Sequence, residues 1–115
     1  MDKEKLDKII ADHELWLDNE GGCRANLCDA NLYDANLRDA NLCDANLCDA
    51  NLDFSCWPLW CGSIGVKIDS KISRQLVYHA LCNLPEEDRK EFIDNPFAYA
   101  NKFHRVGEVN KLKEE

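Results

Sequence analysis

Leucine returns every fifth residue along the first half of the chain, at positions 27, 32, 37, 42, 47 and 52. Alanine stands two places before each leucine and asparagine stands between them. Residues 25–52 therefore read Ala-Asn-Leu six times, with two residues between copies. A helix does not fit this period. Five residues advance a helix by about 500°, or about 140° past a full turn, so the leucines would scatter round the cylinder. A flat strand fails too, because an odd spacing sends successive leucines to opposite faces. A chain that bends a quarter turn at each block does fit. Four blocks then close one coil of about 20 residues, and all six leucines point inward. Alanine shares the leucine face by two-residue alternation. Asparagine faces outward beside the bend, where its amide can satisfy turn backbone. Leu27 and Leu47 would stack one coil apart, at about 4.8 Å.

The run "CRANLCDANLYDANLRDANLCDANLCDANL" resembles the pentapeptide-repeat proteins. That resemblance implies a mainly β solenoid with α caps, in the form of a short right-handed quadrilateral β-helix. The preceding "HELWLDNEGGCRANL" is similar to the entry segment of phage and prophage members. The later "WPLWCGSIGVKIDSKISRQLVYHALC" and "NKFHR" resemble the tail of the same group.

The flanks follow other periods. Leu6, Ile9, Ile10, His13, Trp16 and Leu17 lie at helical spacing over residues 2–17, and Gly21-Gly22 ends that segment. An open end of a coil exposes core and unpaired backbone, so this helix is expected to cover the first coil. At the other end Trp57 falls in the leucine frame, and Trp57 and Trp60 are expected to plug the coil. The stretch "IGVKID" suggests a short strand. Asp69 or Ser70 can cap a helix reaching about Leu84, and Pro85 and Pro96 start two more, the last through His104. The Lys/Glu-rich end after Gly107 is expected to fray. Three regions result: a capping helix over 1–22, the repeats over 23–62 and a helical region over 63–115. Six to eight blocks make under about two coils, too little to bury a large core alone. A homodimer or higher homo-oligomer is therefore expected.

Charge sharpens this division. The formal net charge is −8. Residues 1–22 carry three Lys against seven acids, and residues 23–62 two Arg against six Asp; residues 63–115 balance. Such acidity disfavours direct nucleic-acid or membrane contact and permits contact with a basic protein groove. No apolar run would span a bilayer, and the charged start "MDKEKLDKIIADHE" lacks a signal-peptide core, so the cytoplasm is the expected location, that of the host cell if the chain is phage-encoded. Seven cysteines, an odd count, point to thiols.

Four sets of residues could carry function. Asp29, Asp34, Asp39, Asp44 and Asp49 share one outward position. They read either as a phosphate-like ladder, as in family members that mimic DNA and bind gyrase, or as a solvated surface. So short an array imitates only a few phosphates. Cys28/Cys48 and Cys23/Cys43 each repeat at 20 residues, yet lie on different sides of the square and cannot converge on one zinc ion, so no metal and no cofactor is expected. His13 reads as a capping histidine. The last set is Trp57, Trp60, Lys67, Lys71, Arg74 and Tyr78, with His104 and Arg105 able to come near. Aromatic rings and cations can hold a nucleotide by stacking and by charge-assisted bonds to phosphate. The same residues also read as core caps and ordinary surface.

No nucleophile elbow, P-loop, His-Glu-x-x-His or dinucleotide fingerprint occurs. The expectation is a non-enzymatic, phage- or prophage-type binding protein that blocks a host factor, its partner a host protein. The alternative is sequestration of a nucleotide signal through the basic-aromatic set. Further alternatives are a DNA-mimic topoisomerase inhibitor and a structural oligomerisation module.

Overall fold

The computed structural model describes residues 1–109 and 111–113. The chain divides into two compact units, Met1–Leu76 and Val77–Glu115.

The first unit opens with α1, Lys3–Leu17, whose first turn is capped by Asp2 accepting from the Glu4 N–H. Its end is set by Asn19, which takes the left-handed conformation (φ 58°), while Glu20 N–H donates to Leu15 O at 2.9 Å. Asparagine tolerates that conformation, so the helix stops before Gly21 rather than at it. Gly22 is needed for closeness as well as its positive φ (70°): a Cβ there would collide with the Asp12 carbonyl. Leu6 and His13 of α1 are buried, with Ile9 and Ile10 packed on the same core.

The repeats then wind through a chain of tight turns. In each, the alanine N–H donates to the leucine carbonyl three residues earlier, as in Ala30 to Leu27 at 3.0 Å and Ala45 to Leu42 at 2.9 Å. The asparagine Oδ1 accepts from the N–H two residues on in six successive blocks, from Asn26–Cys28 to Asn51–Asp53. Between windings, Leu27 N–H donates to Asn46 O at 2.7 Å and Asn46 N–H to Ala25 O at 3.0 Å. All six leucines, Leu27 to Leu52, are buried, with Ala25, Ala40, Ala45 and Ala50 beside them.

A right-handed quadrilateral β-helix, the mainly β solenoid expected from the sequence, is not what forms. Among the described residues every named element is helical, and there is no strand and no sheet. Only isolated parallel bridges occur: Asn26↔Asn46, Asn31↔Asn51, Asn36↔Cys56 and Asn46↔Lys67. The reason is the block length. Turn centres take up two of every five residues, and asparagine is the one position that pairs. A strand requires consecutive bridges, and here the next inter-winding bond, as from Asp29 N–H to Cys48 O, already lies within the turn. The short strand expected at "IGVKID" is likewise a single bridge at Lys67.

The spacing of these contacts shifts by one residue within the second winding. Asn36 pairs with Cys56, 20 residues on, whereas Asn46 pairs with Lys67, 21 on. An extra residue thus enters after Cys56, around buried Pro58. Beyond it the frame resumes, with Val66 in an alanine place and Ile68 in a leucine place, both packed against the core. Trp57 is half-buried on that core, but Trp60 is 44% exposed and does not plug the coil as expected.

Helix α2, Ser70–Cys82, follows, and the division between the units falls inside it. Asp69 starts it by accepting the Ile72 N–H at 3.0 Å, and the same carboxylate accepts the Asp49 N–H. In the previous winding, Asp29 N–H finds the Cys48 carbonyl at 3.0 Å. The Asp69 side chain thus stands where a further winding would supply a carbonyl.

The second unit holds a 3₁₀ turn at Glu86–Asp88, then α3, Arg89–Asp94, α4, Pro96–Ala100, and a 3₁₀ turn at Val106–Glu108. Asn95 caps α4 by accepting from the Ala98 N–H at 3.0 Å. The helix expected from Pro96 through His104 ends at Ala100. Tyr99 donates to Asp88 at 2.8 Å and packs edge-on against Phe92. Of the Lys/Glu-rich end, positions 110, 114 and 115 lie outside the described residues. Among the described residues no helix is long and apolar enough to cross a membrane.

Candidate functional site

The acidic set has a backbone origin. Asp29, Asp34, Asp44 and Asp49 sit at the second turn position with φ between 61° and 65°, in the left-handed region. Few residues tolerate that conformation, and aspartate is one of them. Asp39 alone of the five lies outside it, and its carboxylate pairs with Arg38 at 3.4 Å on the surface. All five are exposed. The repeat therefore selects aspartate through its turn geometry before any partner is considered.

Phe54 takes the same turn position with the same left-handed backbone (φ 62°), where a bulky side chain is disfavoured. The residue is 77% exposed, and its ring lies 5.3 Å, centroid to centroid, from that of Tyr33, a residue 54% exposed. The Asn31↔Asn51 bridge sets Tyr33 opposite Asp53 and Asp34 opposite Phe54. Asp34 N–H donates to Asp53 O at 2.9 Å, and Gln75 Nε2 donates to the Asp53 carboxylate at 2.9 Å. One corner of the repeat thus carries two rings and two carboxylates. In the sequence its one mark is that Phe54 breaks a column of aspartates.

His13 is fully buried, and both ring nitrogens are committed. Nδ1 accepts from the Ala25 N–H at 2.9 Å, which leaves the proton on Nε2, donated to Cys43 O at 2.8 Å. A Cys28 Sγ and carboxylate oxygens of Asp29 and Asp49 lie within 4.8 Å of one another, the one such group among the described residues. Local desolvation, then the Asp29 charge, push the Cys28 thiol above its usual value. All seven cysteines are free thiols.

The basic-aromatic set is distributed over both units. Trp57, Trp60, Lys67, Lys71 and Arg74 belong to the first, with Lys67, Lys71 and Arg74 exposed. Lys67 contributes its backbone to the winding, accepting from Leu47 N–H at 2.8 Å and donating to Ala45 O at 2.7 Å. Tyr78, His104 and Arg105 belong to the second unit. A hydrogen bond with Cys82 raises the Tyr78 phenol. His104 packs edge-on against Phe103, and Arg105 pairs with Glu108.

The family model described as pentapeptide repeats matches residues 24–56, in eight copies. No curated protein and no solved structure gives a match to the chain.

Proposed function

From the premise that the chain is a pentapeptide-repeat protein, we propose that it is a non-catalytic binding protein that blocks a host factor, as a phage- or prophage-type member of that family. The observation that supports this is how the repeat unit uses its polar groups. Its asparagine amides serve the turns, four of its aspartates serve left-handed backbone, and His13 joins two backbone groups. What remains for function is presentation: a turn-built scaffold with an acidic, locally aromatic surface. A basic groove on a host protein is the partner this surface suits. The site of action is the cytoplasm, and self-association would extend the surface.

Affinity capture from host lysate tests the reading, with one protein expected in stoichiometric amount. Turnover by the purified protein that an Asp or His substitution abolishes would sink it. Topoisomerase inhibition by DNA mimicry is a separate outcome, checked by supercoiling at micromolar protein. Calorimetry with cyclic and linear nucleotides on the natural chain and on Arg74→Glu separates nucleotide sequestration from both.

A further inference from the structure

The Tyr33–Phe54 corner is where the repeat departs from its own rule. In four blocks the left-handed turn position carries aspartate, which suits it; here it carries phenylalanine, which does not. The side chain is not recruited to the core, since the residue is 77% exposed. A strained residue that contributes no burial calls for another role. Its one aromatic neighbour, Tyr33, is exposed as well, so the two rings form an open, tilted platform. Asp34 and Asp53 complete the corner by register, in the part of the chain that carries the net negative charge.

We infer that this corner is a docking site for an arginine side chain presented by a basic segment of a partner protein. A guanidinium is planar, stacks on aromatic faces and donates in a fork to carboxylate, so it can use rings and acids together. An ammonium is a compact, strongly hydrated charge that is also drawn to aromatic faces but cannot stack flat on them or donate in a fork, so it gains less from the same corner. The rings disfavour a phosphate-bearing partner less than the acids do: Asp34 and Asp53 would repel it directly. Tyr33 and Asp34 also border a cleft of about 300 Å³ floored by Leu6, Leu32 and Ala35. Lys3, Asp7 and Asp34 line that cleft as well, so it offers mixed charged and apolar contacts to the residues that flank the arginine in the same segment. The inference rests on the binding role proposed above and names the surface and the chemistry it takes.

The decisive variant is Phe54→Asp. It restores the repeat's own residue, so the melting temperature should hold or rise. It also adds a negative charge. If attraction between charges were the whole effect, a basic peptide would bind the variant more tightly. If the rings matter, it binds less tightly. Calorimetry at low salt with synthetic hexa-arginine and hexa-lysine reads the difference. The natural chain should prefer hexa-arginine by about threefold or more, and Phe54→Asp should weaken hexa-arginine by about three- to fivefold. Tyr33→Ala should act in the same direction. Equal binding of the two peptides, or unchanged or tighter hexa-arginine binding to Phe54→Asp, overturns the site. Capture from lysate keeps the two proposals apart. A partner held equally by the natural chain and Phe54→Asp overturns the corner and leaves the blocking role standing. No partner captured, with the peptide difference intact, removes the blocking role and supports the corner.

Discussion

The two units are built on opposite principles. Met1–Leu76 contains every buried residue among those described, including the six repeat leucines, His13 and Ile72. Val77–Glu115 contains none; its described residues are half-buried or exposed throughout. The first unit has no long helix besides α1 and the start of α2, yet its windings are tied to one another by hydrogen bonds between residues about 20 apart. In the second, bonding is local: Lys90–Asp94 and Arg105–Glu108 pair within a helical turn, and Lys102–Glu91 and Tyr99–Asp88 close short spans. Regular secondary structure is thus a poor guide to stability here. The repeats, which form no strand or helix, hold most of the core, and the short helices of the second unit hold none of it.

Core truncation should separate the units most strongly. Leu37→Ala or Leu42→Ala removes a fully buried side chain from the middle of the stack. Each should destabilise the first unit by about 2–5 kcal/mol, read by urea unfolding. Ile93→Ala, on a side chain 67% exposed in the second unit, should stay within about 0.5 kcal/mol. Equal effects would mean that the second unit has a core of its own.

His13→Ala comes next. It leaves the Ala25 N–H and the Cys43 carbonyl without their partner, at about 2–3 kcal/mol. Below that lies a matched pair of asparagines. Asn46 holds a turn between windings, and Asn95 caps α4. Each alanine substitution should cost about 1 kcal/mol. Their consequences should differ in extent. By hydrogen exchange, Asn46→Ala should lower protection across all windings, because they are bonded to one another, whereas Asn95→Ala should raise exchange only around α4. A local effect of Asn46→Ala would show that the windings open independently.

The period of five made the inward leucines and the turn-serving asparagines legible, because only one geometry buries every fifth residue. That geometry does not by itself make a β-helix, and no strand forms among the described residues. Spacing tells which side chains share a face, but not how many consecutive bridges a block forms, and here it is one. Val66, Lys67 and Ile68 were unreadable as a block because one extra residue near Pro58 throws them out of frame. Asp29 and its equivalents were read by charge, when the backbone at their positions explains them first. Phe54 was visible as a broken column. Its meaning needed the left-handed φ and the Tyr33 ring, neither of which a sequence displays.

The smallest expected effects divide the units by pH. In the first, the Ile72 N–H, then the Asp49 N–H, hold the Asp69 carboxyl below its usual value. Folding favours the ionised form, so this stability is present above the ordinary aspartate range, about pH 4, and is lost as pH falls below it. In the second, the hydrogen bond to Asp88 raises the Tyr99 phenol. Folding favours the protonated form, so that stability is present below the ordinary tyrosine range, about pH 10, and is lost as pH rises above it. Acid should therefore loosen the junction of the windings with α2, and alkali the α3–α4 turn. Exchange protection around Ile72 that falls below about pH 4 in the natural chain but not in Asp69→Asn would establish the first arm. Tyr99→Phe should abolish the alkaline loss of helicity at α3 and α4 without touching the acid one. If both substitutions flatten the same limb, the units do not titrate separately, and the division of the molecule into a core-held and a locally held part fails with them.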